Sequence, residues 1–261
     1  MGEKGLLQVT GMKLGGVPRV FFVHVMKTAG TTFTAELRRQ LGPENVYPRV
    51  PTPDQRGSYW HIQKLLDVPE ERHLRLKAYA GHFPFFVAEQ LVPFEVEILC
   101  MLREPVARTV SWLRQEQDAS GTRSMEDIYA DDLTRRRLVV NHQTKIFSLE
   151  RADHAGSYLK NVDIDEARLE RALQRLERVS VLGVQERVDD FMTAVNRRYG
   201  WSLRTEERLN VSTLHPVPPG LLERIREDVS LDTVLYERAL ELATKAPSAE
   251  RLDGEGATQP L

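Results

Sequence analysis

Residues 17–25 (VPRVFFVHV) form a short run of β-branched and aromatic residues opened by a proline. Small and hydroxylated residues follow at once, and then a helical pattern. An apolar run of this length, without polar alternation, predicts a strand buried on both faces. Phe33, Leu37 and Leu41 recur at i, i+4 and i+8, and Gly42-Pro43 closes the pattern, which predicts a helix from about Thr31. A buried strand feeding a helix through a short loop is the opening unit of a parallel sheet, because only a crossover helix can cover its faces.

The rest of the chain repeats this alternation. Further strands are predicted at residues 76–80, 95–102 and 179–184. Helices are predicted at 59–66, from Pro105 onward, and at 125–130, 133–149, 165–178, 188–199, 220–228 and 231–243, with a proline-rich connection at 47–53. The fold class expected is α/β, a P-loop-like three-layer fold with a central, mainly parallel sheet flanked by helices. With no internal repeat or shift in composition, residues 17–245 read as one domain between a flexible N-terminus (1–16) and a polar, disordered tail (246–261).

Composition excludes several classes. Basic and acidic residues number 36 and 38, a net charge of −2, so no global field advertises nucleic acid and any anion must be captured locally. Cys100 is the only cysteine, in an apolar run, and reads as a buried inert thiol; cysteine metal clusters and intramolecular disulfides are ruled out. No stretch of 18 uncharged apolar residues and no signal-like segment is found, so membrane insertion is not expected and a cytoplasmic location is the default.

The loop His24-Val25-Met26-Lys27-Thr28-Ala29-Gly30-Thr31-Thr32 stands where open α/β sheets bind ligands. Small residues at 28–30 let backbone N–H groups approach an anion, and the helix start adds unpaired donors and a positive dipole end. Lys27 supplies a charge and Thr31 and Thr32 supply hydroxyls. The order differs from a Walker A loop, since Lys27 precedes Gly30, and the third strand ends in Arg103-Glu104 rather than in an aspartate that could hold Mg²⁺. A phosphoryl donor needs a metal to offset its charges. A sulfuryl group carries one charge, for which a lysine and backbone donors suffice.

HVMKTAGTT resembles the 5′-phosphosulfate loop of the sulfotransferases, particularly the branch related to the heparan sulfate 2-O-sulfotransferases. MLREPVARTVSWL (residues 101–113) is similar to the family's 3′-phosphate motif, an arginine at a strand end and a serine eight residues on, here Arg103 and Ser111, about seventy residues after the loop. A forked, permanently charged donor and a hydroxyl suit a phosphate. Arg108, three residues before Ser111, either adds charge to the site or is solvated. Weaker likenesses are Gly183-Val184-Gln185-Glu186-Arg187 leading to Phe191, Asn210-Val211-Ser212, and Leu231-Asp232-Thr233-Val234-Leu235-Tyr236.

The resemblance implies 3′-phosphoadenosine 5′-phosphosulfate as donor, its 3′,5′-bisphosphate as product and no required metal. Lys27, Thr28, Ala29, Gly30, Thr31, Thr32, Arg103 and Ser111 would hold the donor. Transfer to a hydroxyl needs a base and a group that stabilises the leaving phosphate oxygen. Lys27 is assigned the second role and His82 the first, because the related enzymes carry a catalytic His-Gly-His where this chain has Ala80-Gly81-His82. With the first histidine replaced by Ala80, the alternative bases are His24, Glu36, His61 and His142. The acceptor is expected to be a hydroxyl-bearing carbohydrate, lipid-linked sugar or small natural product. The competing readings are a P-loop-like nucleotide kinase and a non-catalytic nucleotide-binding relative.

Overall fold

The computed structural model describes residues 18–49, 60–91, 94–204 and 215–245; the expected N-terminus, the tail and Asn210-Val211-Ser212 lie outside them. Five strands, β1 (Arg19–Val23), β2 (Val46–Tyr47), β3 (Ala78–Tyr79), β4 (Val96–Leu102) and β5 (Val181–Val184), pair in the order β2-β3-β1-β4-β5, and every pairing is parallel. The helices are α1 (Gly30–Leu41), α2 (Ile62–Leu66), α3 (Glu70–Arg75), α4 (Phe85–Gln90), α5 (Pro105–Ser120), α6 (Met125–Ala130), α7 (Asp132–Leu138), α8 (His142–Ser148), α9 (Glu166–Leu176), α10 (Val188–Tyr199), α11 (Leu221–Asp228) and α12 (Ser230–Lys245).

Alternation along the strands distributes side chains to two cores. Phe21 and Val23 of β1, Tyr79 of β3, and Ile98, Cys100 and Leu102 of β4 face α2, α4, α8, α9 and α12. Val20 and Phe22, with Ala78, Leu99 and Met101, face α1 and α10. The expected α/β class with helices on both faces is therefore the observed one. Gly183 lets α10 approach β5 closely, since a Cβ there would lie 2.6 Å from the Phe191 ring. Cys100 is buried with its thiol near the Val23 carbonyl, and burial pushes its pKa up, as an inert thiol requires. A third core, beside the sheet, joins Trp112 and Leu113 of α5 to α6 and α11. Among the described residues no helix is long and apolar enough to cross a membrane.

Three expectations are corrected. A strand, β2, occupies the start of the predicted proline-rich connection; at two residues it is too short to leave a period, and its pairing with β3 is what defines it. The helices α3 and α4 were not anticipated, each being too short to show a full amphipathic repeat. The single helix predicted over 133–149 is two, α7 and α8, separated by Val139–Asn141 with Asn141 in the left-handed region at φ 41°. Asparagine tolerates that conformation better than most residues, and here its side chain is bonded as well. Its Oδ1 accepts from the backbone N–H groups of Leu231 (3.0 Å) and Asp232 (3.2 Å) at the start of α12. In return the Asp232 carboxylate accepts from the N–H groups of Gln143 (3.0 Å) and Thr144 (2.7 Å) at the start of α8. Each helix start thus caps the other.

Candidate anion site at the carboxyl ends of three strands

β3, β1 and β4 are neighbours and parallel, so the segments leaving them emerge along one edge of the sheet. His82 follows β3, the loop from His24 follows β1, and Arg103 follows β4. The connection leaving β1 runs to β2 on one side of the sheet and the connection leaving β4 runs to β5 on the other, which makes the gap between β1 and β4 the topological switch point where open α/β sheets hold ligands.

The loop has an uncommon backbone. Lys27 (φ 68°) and Ala29 (φ 62°) are both left-handed, and Thr28 between them is not. For non-glycine residues this costs roughly 1–2 kcal/mol each, and three bonds hold it. Thr28 Oγ1 donates to the Val25 carbonyl at 2.9 Å, the Arg103 guanidinium to the Lys27 carbonyl at 3.1 Å, and Arg108 Nε to the Met26 carbonyl at 3.4 Å. Two arginines thereby hold consecutive carbonyls. The N–H groups of Lys27, Thr28, Ala29 and Gly30 donate to no acceptor among the described residues. Successive free N–H groups on alternating backbone hands form a concavity suited to an anion. Thr31 and Thr32 follow in the first turn of α1, Thr31 exposed and Thr32 buried.

Gly30 has a role besides backbone approach. A Cβ on it would lie 2.1 Å from Cδ2 of the His24 ring, which occupies that space. The His24 ring in turn lies 4.1 Å, centroid to centroid, from that of His82. The chain lacks an imidazole at Ala80, yet two imidazoles still meet, one from β1 and one from the segment after β3.

His82 Nδ1 lies 3.0 Å from the His24 carbonyl. A carbonyl only accepts, so Nδ1 carries the hydrogen and the neutral ring keeps its lone pair on Nε2. Burial lowers the His82 pKa, the bond to the His24 carbonyl opposing only in part, so the neutral ring prevails at neutral pH. Tyr158 packs its ring 5.4 Å from that of His82.

Lys27 Nζ donates to Gln115 Oε1 at 2.7 Å. Gln115 lies on α5 four residues beyond the half-buried Ser111, so Lys27 is bonded to the helix face that carries Ser111. Burial, then Arg103 and Arg108, lower the Lys27 pKa. Arg108 is fully buried, which overturns its reading as solvated; burial lowers it to about 10, and it also bonds the Leu138 carbonyl at 2.6 Å. The edge thus gathers one fully buried and two half-buried cations, which a bound anion would compensate. Arg103 is gripped from behind: the Gln143 amide accepts from its backbone N–H at 3.1 Å and donates to its carbonyl at 2.8 Å. Glu104 caps α5, accepting from Val106 and Ala107, and Pro105 occupies the first turn.

Of the alternative bases, His24 lies against His82 and His142 lies against Tyr158, while Glu36 and His61 have other partners. His24 is buried and its pKa lies well below the ordinary value through burial, then His82 and Arg38. Glu36 is bonded to Arg39 and to the Arg204 N–H, which hold its carboxyl below the usual range. His61 is exposed at the start of α2, against Trp60. His142 is fully buried under Tyr158, with Nδ1 3.4 Å from the Arg137 carbonyl.

Gln143, Gln115 and Tyr158 were not anticipated. One signal was present: Asn141-His142-Gln143-Thr144-Lys145 is a polar run between Leu138-Val139-Val140 and Ile146-Phe147, and every one of its residues is buried. Five consecutive polar residues cannot share one helix face, so an apolar setting on both sides marks them as internally bonded.

No family model matches the chain, nor does any curated protein. Among solved structures, the chain is similar to the crystal structure of a sulfotransferase from Alicyclobacillus acidocaldarius. The identity is 18%, the match covers 87% of this chain and 96% of that one, and the TM-score is 0.42.

Proposed function

We propose that the chain is a sulfotransferase of the branch resembling the heparan sulfate 2-O-sulfotransferases, using 3′-phosphoadenosine 5′-phosphosulfate and an acceptor hydroxyl. The observation that carries this reading is the row of unbonded N–H groups from Lys27 to Gly30, beside Lys27 and at the start of α1. It suits the 5′-phosphosulfate, and Arg103 with Ser111 suits the 3′-phosphate. Arg103 Nε is buried without a partner among the described residues, as an anion-binding guanidinium would be.

When bound, the donor supplies a sulfuryl group on a phosphate leaving group. His82 Nε2 takes the proton of the acceptor hydroxyl as its oxygen bonds to sulfur. Lys27 meets the charge that develops on the phosphate oxygen as the sulfur–oxygen bond breaks. Thr28, Ala29, Gly30, Thr31 and Thr32 line the phosphosulfate, and no metal is required in this scheme. The acceptor is a carbohydrate, glycolipid or small natural product, and the setting is cytoplasmic.

The test is calorimetric titration with adenosine 3′,5′-bisphosphate in the absence of Mg²⁺. Binding is expected, with loss on Lys27→Ala. Binding of ATP only with Mg²⁺, and none of the bisphosphate, would replace this reading with that of a kinase. Tight bisphosphate binding without sulfated product over a wide acceptor panel would leave a nucleotide-binding relative.

A further inference from the structure

Gln143 is fully buried at the start of α8, and its amide bonds the backbone of Arg103 and not its guanidinium. Its amide is nevertheless paired at both ends with a single residue. Oε1 accepts from the Arg103 N–H and Nε2 donates to the Arg103 carbonyl. This two-point pair continues beyond β4 the kind of bonding that a neighbouring strand would supply, at the residue where β4 ends and the sheet offers none.

The pair is one link in a chain of bonds. The Asp232 carboxylate on α12 accepts from the Gln143 N–H and sets the start of α8, the Gln143 amide holds the Arg103 backbone, and the Arg103 guanidinium holds the Lys27 carbonyl. We propose that Gln143 is a positioning residue of the donor site, fixing Arg103 so that its guanidinium keeps the Lys27 carbonyl turned away from the row of free N–H groups. The proposal rests on the donor-binding reading above and assigns to α8 and α12 a part in it that neither anion motif contains.

The amide is required because it donates and accepts at once. A carboxylate of the same size accepts from the Arg103 N–H but repels its carbonyl. A carboxylic acid restores both bonds, since its hydroxyl donates and its other oxygen accepts. Gln143→Glu is therefore a pH-reversible lesion. Burial and the facing carbonyl raise the new carboxyl above the ordinary glutamate value of about 4.3.

The experiment titrates adenosine 3′,5′-bisphosphate into wild type and Gln143→Glu at about pH 8 and about pH 5.5, with circular dichroism to establish folding. At the higher pH the variant is expected to bind about tenfold more weakly, the loss of one bond to a buried group. At the lower pH the ratio to wild type should approach unity. Loss of packing alone would give a ratio that does not change with pH, and that result overturns the proposal, as does wild-type affinity at both values. If Gln143→Glu does not fold, Gln143→Met is titrated instead. It keeps the volume and neither bond, and wild-type affinity in a folded Gln143→Met also overturns the proposal. Failure of the wild type itself to bind the bisphosphate would count against the donor reading and is thereby distinguished.

Discussion

Replacement of Gly30 by alanine tests the packing that joins the loop to the histidine pair. The added Cβ would lie 2.1 Å from Cδ2 and 2.2 Å from Nε2 of the His24 ring. Ordinary carbon contacts start near 3.5 Å, so ring and helix start must separate by more than an ångström. The ring is buried against Phe22 and His82, with centroids at 5.3 and 4.1 Å, and has nowhere to retreat without moving one of them. Overpacking of this kind costs roughly 1–3 kcal/mol. Against it stands the higher helix propensity of alanine, up to about 1 kcal/mol. The net expectation is a loss of about 1–2 kcal/mol, read as a fall in Tm of about 2–4 °C per kcal/mol for a chain of this size. Because His82 bonds the His24 carbonyl, turnover should fall as well. The decisive measurement is a double-mutant cycle by urea unfolding. In a His24→Ala background the obstruction is gone, so Gly30→Ala should turn neutral or stabilising. If it costs the same with and without the His24 ring, glycine is needed at position 30 for a reason other than room for the imidazole.

Two other outcomes follow from the titratable groups. Lys145 is fully buried and bonded to the Arg137 carbonyl, and burial, then Arg108, lower its pKa to about 7. The unfolded chain keeps this proton up to about pH 10.4 and the folded chain releases it above about 7, so this group makes stability rise with pH across that window. Between pH 7 and 9 the gain is about 2 kcal/mol, which urea unfolding should find in wild type and not in Lys145→Met; parallel pH curves would mean that the amine does not titrate there. For His82, the lowered pKa places the acid limb of kcat/KM below the ordinary histidine value of about 6.5. His82→Ala should remove transfer while sparing bisphosphate affinity, and retained turnover would move the base to another group.

Much of the fold was legible because the signals were local and long. The apolar runs that became β1, β4 and β5, and the period of α9 and α10, lie within a residue or two of their expected limits, since burial on both faces or on one stripe dictates composition directly. The strand β2 and the helices α3 and α4 were invisible because two to six residues leave no period. The break at Asn141 was missed because its cause is remote: the bonded partners are Leu231 and Asp232. At the site, Lys27, Arg103 and His82 were singled out by motif, and the structure brings their segments together along one edge. Arg108 could be read from spacing only as one of several exposed or buried arginines, and its bond to the Met26 carbonyl decided it. Gln143 had no motif, and its importance comes entirely from a backbone forty residues away.

The mutual cap between Asn141 and Asp232 also sets an order of assembly. During synthesis the loop at 24–32 is made early, but the carboxylate that seats α8 is made some two hundred residues later. Until α12 docks, α8 has no acceptor for its first N–H groups, and the support behind Arg103 is incomplete. A nascent chain would then hold a finished strand and loop without the bonds that fix Arg103 behind them. On the proposed function, donor capture would report that α12, the last of the described helices, has docked.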